Sequence, residues 1–217
     1  RQTALRSMMK YNFKPVMRDV VNSWRIFAIN DESGSVICDY PEGSDKPVIP
    51  ISYCPECMTG FEYAFAGLLI SEGFTEEGLT VVCAIRDRYD GKKRNPFNEI
   101  ECGNHYARSL SSFALLPIFS GFSYDIPNAE IGFAPVLPGD YRCFWAAGGG
   151  WGDFLRTDRT CRLVIHGGEI RLSALRLADM RGKALTVDGK KLAFTQNGET
   201  LSFPPVTVKK ELRVTLL

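Results

Sequence analysis

Ala184-Leu185-Thr186-Val187-Asp188-Gly189-Lys190-Lys191-Leu192-Ala193-Phe194-Thr195-Gln196-Asn197-Gly198-Glu199-Thr200-Leu201-Ser202-Phe203 carries two hairpin signals in close succession. Asp188-Gly189 and Asn197-Gly198 are both suited to two-residue turns, because a turn that matches the twist of its strands needs residues that tolerate positive φ. Around them apolar residues alternate in short segments. Reading outward, strands are expected over 162–165, 169–172, 184–187, 191–195, 200–203 and 211–216. Together they make an antiparallel sheet module, either a single sheet or one half of a sandwich. His166-Gly167-Gly168 reads as a further hairpin turn with no chemical role.

Upstream of about residue 135 the pattern changes to long helical stretches. Thr59 with Glu62 is a capping box opening a helix to about Ser71, with Phe61, Phe65, Leu68 and Leu69 among its apolar residues and Gly73 as its stop. A second helix starts near Thr75, where Glu76 and Glu77 favour the positive end, and carries Leu79, Val82, Ile85 and Tyr89 up to Asp90-Gly91. After a loop, 92–99, a third helix is expected over about 104–120, carrying Tyr106, Leu110, Phe113, Leu116 and Phe119 and buried on more than one side. Weaker helical candidates cover 4–11 and 16–27, and 33–50 reads as a long loop. The expected class is α+β, with helices over 1–135 and an antiparallel β module over 136–217.

Charge excludes some partners. The 26 Lys and Arg nearly cancel the 25 Asp and Glu, so nothing favours broad attraction to phosphate backbones or acidic bilayers, and neither nucleic acid nor membrane is expected as a partner. The apolar run 64–70 is far shorter than the roughly 20 residues of a membrane-spanning helix. The expectation is a soluble chain. Its compartment is not legible from Arg1, although the odd count of seven cysteines argues against a disulfide-stapled secreted domain and favours the cytoplasm.

The densest polar cluster runs from Asn95 to Ser109 and holds Glu99, Glu101, His105 and Arg108 beside Phe97 and Tyr106. Hydrogen-bonding side chains next to aromatic rings suit a sugar, whose hydroxyls seek charged partners and whose C–H faces seek a flat apolar surface. The same residues also fit a capped helix start with Glu99 and Arg108 simply paired. Cys54 and Cys57, spaced as Cys-x-x-Cys, are either inert buried thiols, a redox pair, or half of a zinc site completed by Cys102 and His105. Gly148-Gly149-Gly150-Trp151-Gly152 reads either as a turn with Trp151 in the core or as a loop presenting Trp151 to a ligand. No nucleophile elbow, phosphate loop, zincin pair or dinucleotide fingerprint is present.

Glu56-Cys57-Met58-Thr59-Gly60-Phe61-Glu62-Tyr63-Ala64, followed by Asn98-Glu99 and Arg108-Ser109, resembles the end of the catalytic domain of the non-lysosomal glucosylceramidase-like enzymes, glycoside hydrolase family 116, and their bacterial relatives. Gly121 to Asp125, Ile131 to Pro135 and Gly150-Trp151-Gly152 extend the likeness over roughly residues 50–155. The resemblance implies helical hairpins forming part of an (α/α) six-hairpin toroid, with the β module after it. It further implies that Glu99 and Arg108 bind sugar hydroxyls, with Glu56 as a weaker candidate; Glu101 and His105, from the polar cluster, complete the expected substrate-binding set.

A retaining glycosidase needs two carboxyl groups flanking the bond, and in the family both precede the matched motifs. The implied chain is therefore the carboxyl-terminal fragment or small subunit of a retaining β-glycosidase without catalytic residues of its own. It would act with a larger polypeptide that carries the rest of the toroid and the catalytic carboxylates. No metal or other cofactor is expected. The rival reading is a non-catalytic carbohydrate-binding or structural subunit. Met58 stands where the family has Trp and Asn98 where many members have Pro, so one aromatic sugar platform is missing.

Overall fold

Helices are few and strands many. The computed structural model describes residues 1–22, 27–49, 51–100 and 103–217, which divide into two compact units, Arg1–Leu115 and Leu116–Leu217. The division thus falls earlier than the change of pattern near residue 135.

The first unit contains α1 (Gln2–Tyr11), a short antiparallel pair β1 (Phe13–Lys14) and β2 (Gly34–Ser35), α2 (Thr59–Ser71), α3 (Thr75–Arg88) and a 3₁₀ helix (Arg108–Ala114). The sequence limits of α2 and α3 hold. Gly73 takes φ 88°, and Gly73 and Phe74 return their N–H groups to Ile70 and Leu69, which closes α2 as a glycine stop should. The two helices approach closely at Gly78, where a Cβ would come within 2.5 Å of Ile70 and 2.8 Å of the Ala66 carbonyl. Their shared core joins Phe65, Ala66 and Leu69 to Val81, Ile85 and Leu5 of α1.

Three local expectations change. The capping box does not form: Met58 occupies the cap, and the Thr59 and Glu62 side chains turn to partners elsewhere in the chain. The third helix is not continuous either. Gly103 at φ 116° and His105 at φ 58° hold that stretch out of helical geometry, so only the 3₁₀ turn and a short α-helix remain. Leu110 and Phe113, expected in the core, are exposed. Of the candidate helix 16–27, residues 16–22 are not helical and 23–26 lie outside the described residues.

The second unit begins within α4 (Leu115–Ser120), whose first residue belongs to the first unit. It contains β3 (Ser123–Asp125), β4 (Glu130–Phe133), β5 (Tyr141–Ala147), β6 (Gly150–Arg156), β7 (Thr160–Gly168), β8 (Ile170–Leu177), β9 (Gly182–Val187), β10 (Lys190–Leu192), β11 (Thr195–Asn197), β12 (Thr200–Val208) and β13 (Glu211–Leu216). They form a six-stranded sheet, β10-β9-β13-β7-β6-β5, and a five-stranded sheet, β11-β12-β8-β4-β3. Pairing is antiparallel except for β4 with β8. One apolar core lies between the sheets: Trp145, Phe154, Leu163 and Leu212 from the first meet Phe133, Leu172, Leu175 and Leu201 from the second. The Phe133 and Phe154 rings stack at 4.0 Å. Both halves of a sandwich are therefore present, with β3 to β6 added to the strands legible in the sequence.

Asp188 at φ 48° and Gly189 at φ 82° make the expected turn between β9 and β10. At the second signal the loop is Gly198-Glu199, since Asn197 still pairs with Thr200 and only Gly198, at φ 58°, takes the left-handed region. The single strand expected over 191–195 is two: β10 and β11 lie in different sheets, and Phe194 between them packs on the core. His166 and Gly167 continue β7, leaving Gly168 as the turn residue at φ 72°.

The fold expected from the family resemblance is overturned. Among the described residues four short α-helices, the longest of 14 residues, stand against thirteen strands in three sheets. This is a mostly β chain, not a set of helical hairpins forming part of an (α/α) toroid: α2 and α3 make one hairpin, and the stretch needed for another is broken by the left-handed residues 103 and 105. Among the described residues no helix is long and apolar enough to cross a membrane.

Candidate functional site

Three of the residues singled out in the sequence come together in the first unit. Glu99 and His105 line a pocket of about 230 Å³, and Arg108 stands next to it on the ring of Tyr106, another lining residue. Thr59 at the start of α2, Tyr63 one turn on, and Tyr89 at the end of α3 form the wall, with Phe97 at the rim. Phe97 is 91% exposed, as a ring waiting at a mouth would be, whereas burial pushes the Tyr63 and Tyr89 hydroxyls above their ordinary pKa.

Glu99 is buried and held at both oxygens. Oε1 accepts the Thr59 hydroxyl and Oε2 accepts the Ser109 backbone N–H at 2.9 Å, so the carboxylate caps the 3₁₀ helix at its open end. The Glu99 carbonyl also accepts the Tyr106 N–H at 3.2 Å. A carboxylate has about four acceptor positions, so two fixed donors leave it able to take a ligand hydroxyl.

Arg108 is placed by packing. Its guanidinium lies 5.0 Å from the Phe61 ring centre and 4.8 Å from that of Tyr106, donates to the Tyr106 hydroxyl at 2.5 Å and reaches Met58 Sδ at 3.3 Å. Its stem crosses Gly60, where a Cβ would come within 2.1 Å of it. Among the described residues Arg108 and Glu99 make no ion pair with each other. Met58, at the family's Trp position, is buried. His105 is exposed and anchored through its backbone N–H to Asn98 Oδ1 at 2.6 Å. Glu56 is buried and does not line this pocket, and Glu101 lies outside the described residues.

Sequence reasoning passed over a buried ion pair between the two helices. Glu62 of α2 and Arg88 of α3 form an ion pair, each side chain only 1% exposed. Glu62 also accepts the Ser35 N–H at 2.8 Å, and Arg88 donates to the Ser33 carbonyl at 2.6 Å, so the pair fastens β2 to both helices. Although burial disfavours its charge, the Glu62 carboxylate holds the Arg88 guanidinium above its ordinary pKa. Gly34 lies so close that a Cβ would meet Arg88 Nη1 and Cys57 Sγ, both at 2.8 Å. The signal available in sequence was a Glu and an Arg each set on the apolar face of its helix. Tyr63 and Tyr89 carried no such signal, because an apolar ring at helical spacing reads as core.

Cys54 and Cys57 have different settings. Cys57 is buried and its thiol is pushed well up by burial. Cys54 is pushed up to about 11, by partial burial first and then by the neighbouring Cys38. Both are therefore protonated thiols at neutral pH, which makes them poor nucleophiles. Among the described residues no group of three or more His, Cys, Asp or Glu is arranged to hold a metal ion, and Cys102 lies outside them.

The pocket can grip a neutral polyhydroxylated ligand: one oriented carboxylate, an imidazole at the rim and aromatic walls are the elements of such a site. Among the described residues that line it, Glu99 is the one carboxylate, so the flanking pair that glycoside hydrolysis requires is not assembled there. No protein-family model matches the chain, and no curated protein matches it either.

Proposed function

We propose that the first unit binds a sugar in the pocket beside Glu99, and that the chain works as a substrate-gripping subunit of a retaining β-glycosidase of the glucosylceramidase-like kind. The catalytic carboxylates would lie on a larger partner polypeptide. The observation that carries this reading is the Glu99 carboxylate, fixed by Thr59 and Ser109 and still facing a pocket walled by aromatic rings. The partner is supported by exposed apolar side chains: Phe61 and Leu68, seven residues apart on α2, and Leu110 and Phe113, one 3₁₀ turn apart.

The test begins with saturation-transfer NMR of the chain with methyl β-D-glucopyranoside. Transfer to the sugar that is lost in Phe97→Ala and His105→Ala supports the pocket; transfer that is absent, or indifferent to both substitutions, overturns it. Native material is then assayed for hydrolysis of a chromogenic β-glucoside and for its subunits. A larger chain co-purifying with activity supports the glycosidase reading. A lone, inactive chain that still binds the sugar favours a non-catalytic carbohydrate-binding subunit.

A further inference from the structure

The outward face of the six-stranded sheet carries a second assembly, unrelated in residues to the pocket beside Glu99. Along β5, Tyr141, Cys143, Trp145 and Ala147 pack on the core, so Arg142, Phe144 and Ala146 point away from it. Their cross-strand neighbours on β6 are Leu155, Asp153 and Trp151. On β7 the register slips between Trp151 and Gly152, and the residue in excess, His166, brings its ring to the same face.

These side chains form an ordered group. Asp153 Oδ2 accepts from Arg142 Nη2 at 2.6 Å and Nε at 3.1 Å and lies 3.1 Å from His166 Nε2. The Trp151 ring centre is 5.7 Å from that of His166 and 6.2 Å from that of Phe144. The indole rests on the backbone at Gly167, where any Cβ would come within 2.4 Å of its Nε1. Trp151 nevertheless remains 48% exposed and Phe144 54%. A position read from sequence as either core or display is therefore display, on a strand and not on a loop.

The chemistry selects the occupant. Two large rings left in water beside a carboxylate already oriented by two partners leave an apolar surface bordered by donors and an acceptor. Arg142 and Asp153 cancel in charge, so neither an anion nor a cation gains much there. A neutral hydroxylated ring fits, because each hydroxyl both donates and accepts and its C–H face suits an indole. Two rings and three polar side chains are also too little for the roughly 800 Å² per partner that a stable protein interface covers.

We propose that this face is a carbohydrate-binding platform for a neutral β-linked glucan, with one pyranose ring over Trp151 and its hydroxyls on Asp153, His166 and Arg142. Phe144 extends the platform to the next sugar. The site anchors the chain to a polymer and needs no catalytic group.

Affinity electrophoresis of the full chain through gels containing hydroxyethyl cellulose or laminarin tests it, with cellohexaose titration read by tryptophan fluorescence. Wild-type chain is expected to be retarded by at least one of the two glucans. Trp151→Ala should weaken binding by about tenfold or more, Trp151→Phe less, and Asp153→Asn should fall between wild type and Trp151→Ala. Ile126→Ala, at an exposed position just after β3 and outside both sites, should leave retardation unchanged. The platform is overturned if wild type passes both gels unretarded, if Trp151→Ala with an unaltered circular dichroism spectrum binds like wild type, or if Phe97→Ala and not Trp151→Ala abolishes binding. Should Trp151→Ala fail to fold, Trp151→Phe and His166→Ala decide: binding indistinguishable from wild type in both refutes the proposal.

Discussion

In the first unit the side chains most completely removed from water include the carboxylates of Glu56 and Glu62 and the guanidinium of Arg88, whereas in the second the same depth is occupied by Phe133, Leu172, Leu201, Leu212 and Val214. The two interiors stabilise differently. An apolar sandwich core gains in proportion to the area it buries and tolerates changes of shape that keep volume. A buried ion pair contributes little net stability, but it punishes any arrangement in which one partner is missing, because a lone charge is then left in a poor solvent. The first unit is thus held to one geometry by Glu62, Arg88 and Ser35 at the end where α2, α3 and β2 meet. The second is held by layers of aliphatic and aromatic side chains.

The largest effect should come from splitting the pair. Arg88→Met is expected to destabilise the first unit by about 3–5 kcal/mol, and Glu62→Leu combined with Arg88→Met should recover most of that loss. Urea unfolding of the two variants beside the wild type checks it; a single substitution costing under about 1 kcal/mol would erase the contrast. In the second unit Leu172→Ala should cost about 2–5 kcal/mol by leaving a cavity, while Leu172→Met costs less than about 1.5 kcal/mol. A large penalty for the volume-conserving change would mean that the sandwich is as exacting as the helical unit.

Thr59→Val sharpens the comparison at the candidate site. It removes one of two donors from the buried Glu99 carboxylate, and a loss of about 2 kcal/mol is expected in the same urea experiment. If the loss is negligible, Glu99 is not dependent on this contact and its placement rests on Ser109 alone.

The smallest effect concerns acid. Burial tends to raise the Asp188 pKa, but the backbone N–H groups of Glu211, Lys210 and Lys209 outweigh it and hold the carboxyl below its ordinary value of 3.8. A group depressed in the folded state contributes fully above its unfolded pKa, and that contribution is lost as pH falls through the folded value. Thermal unfolding of the wild type should therefore shift down on acidification by more than that of Asp188→Asn. Parallel curves for the two would remove Asp188 from the account.

Much of the local structure was legible. Gly73, the acidic start Glu76-Glu77, and Asp188-Gly189 act through bonds and dipoles within a turn of themselves, so α2, α3 and the β9–β10 hairpin follow from neighbours in sequence. Where the structure departs from local rules, a distant partner intervenes. Thr59 and Glu62 have the spacing of a capping box, but Glu99, Ser35 and Arg88 offer their side chains better partners, and the cap was lost to them. The toroid came from a resemblance between short motifs, not from periodicity, and a motif that opens one helix says little about how many helices surround it.

By itself the sequence determined that this chain has a hairpin of two apolar helices followed by many short strands, and that Glu99, His105 and Arg108 stand close in the chain to aromatic rings. Only the tertiary structure decided that the strands close into a two-sheet sandwich, that Glu99 spends two of its acceptor positions on Thr59 and Ser109, and that Trp151 faces water. The reason is physical: propensity and turn chemistry act over a few residues, whereas burial and charge pairing depend on which remote segments arrive at the same place.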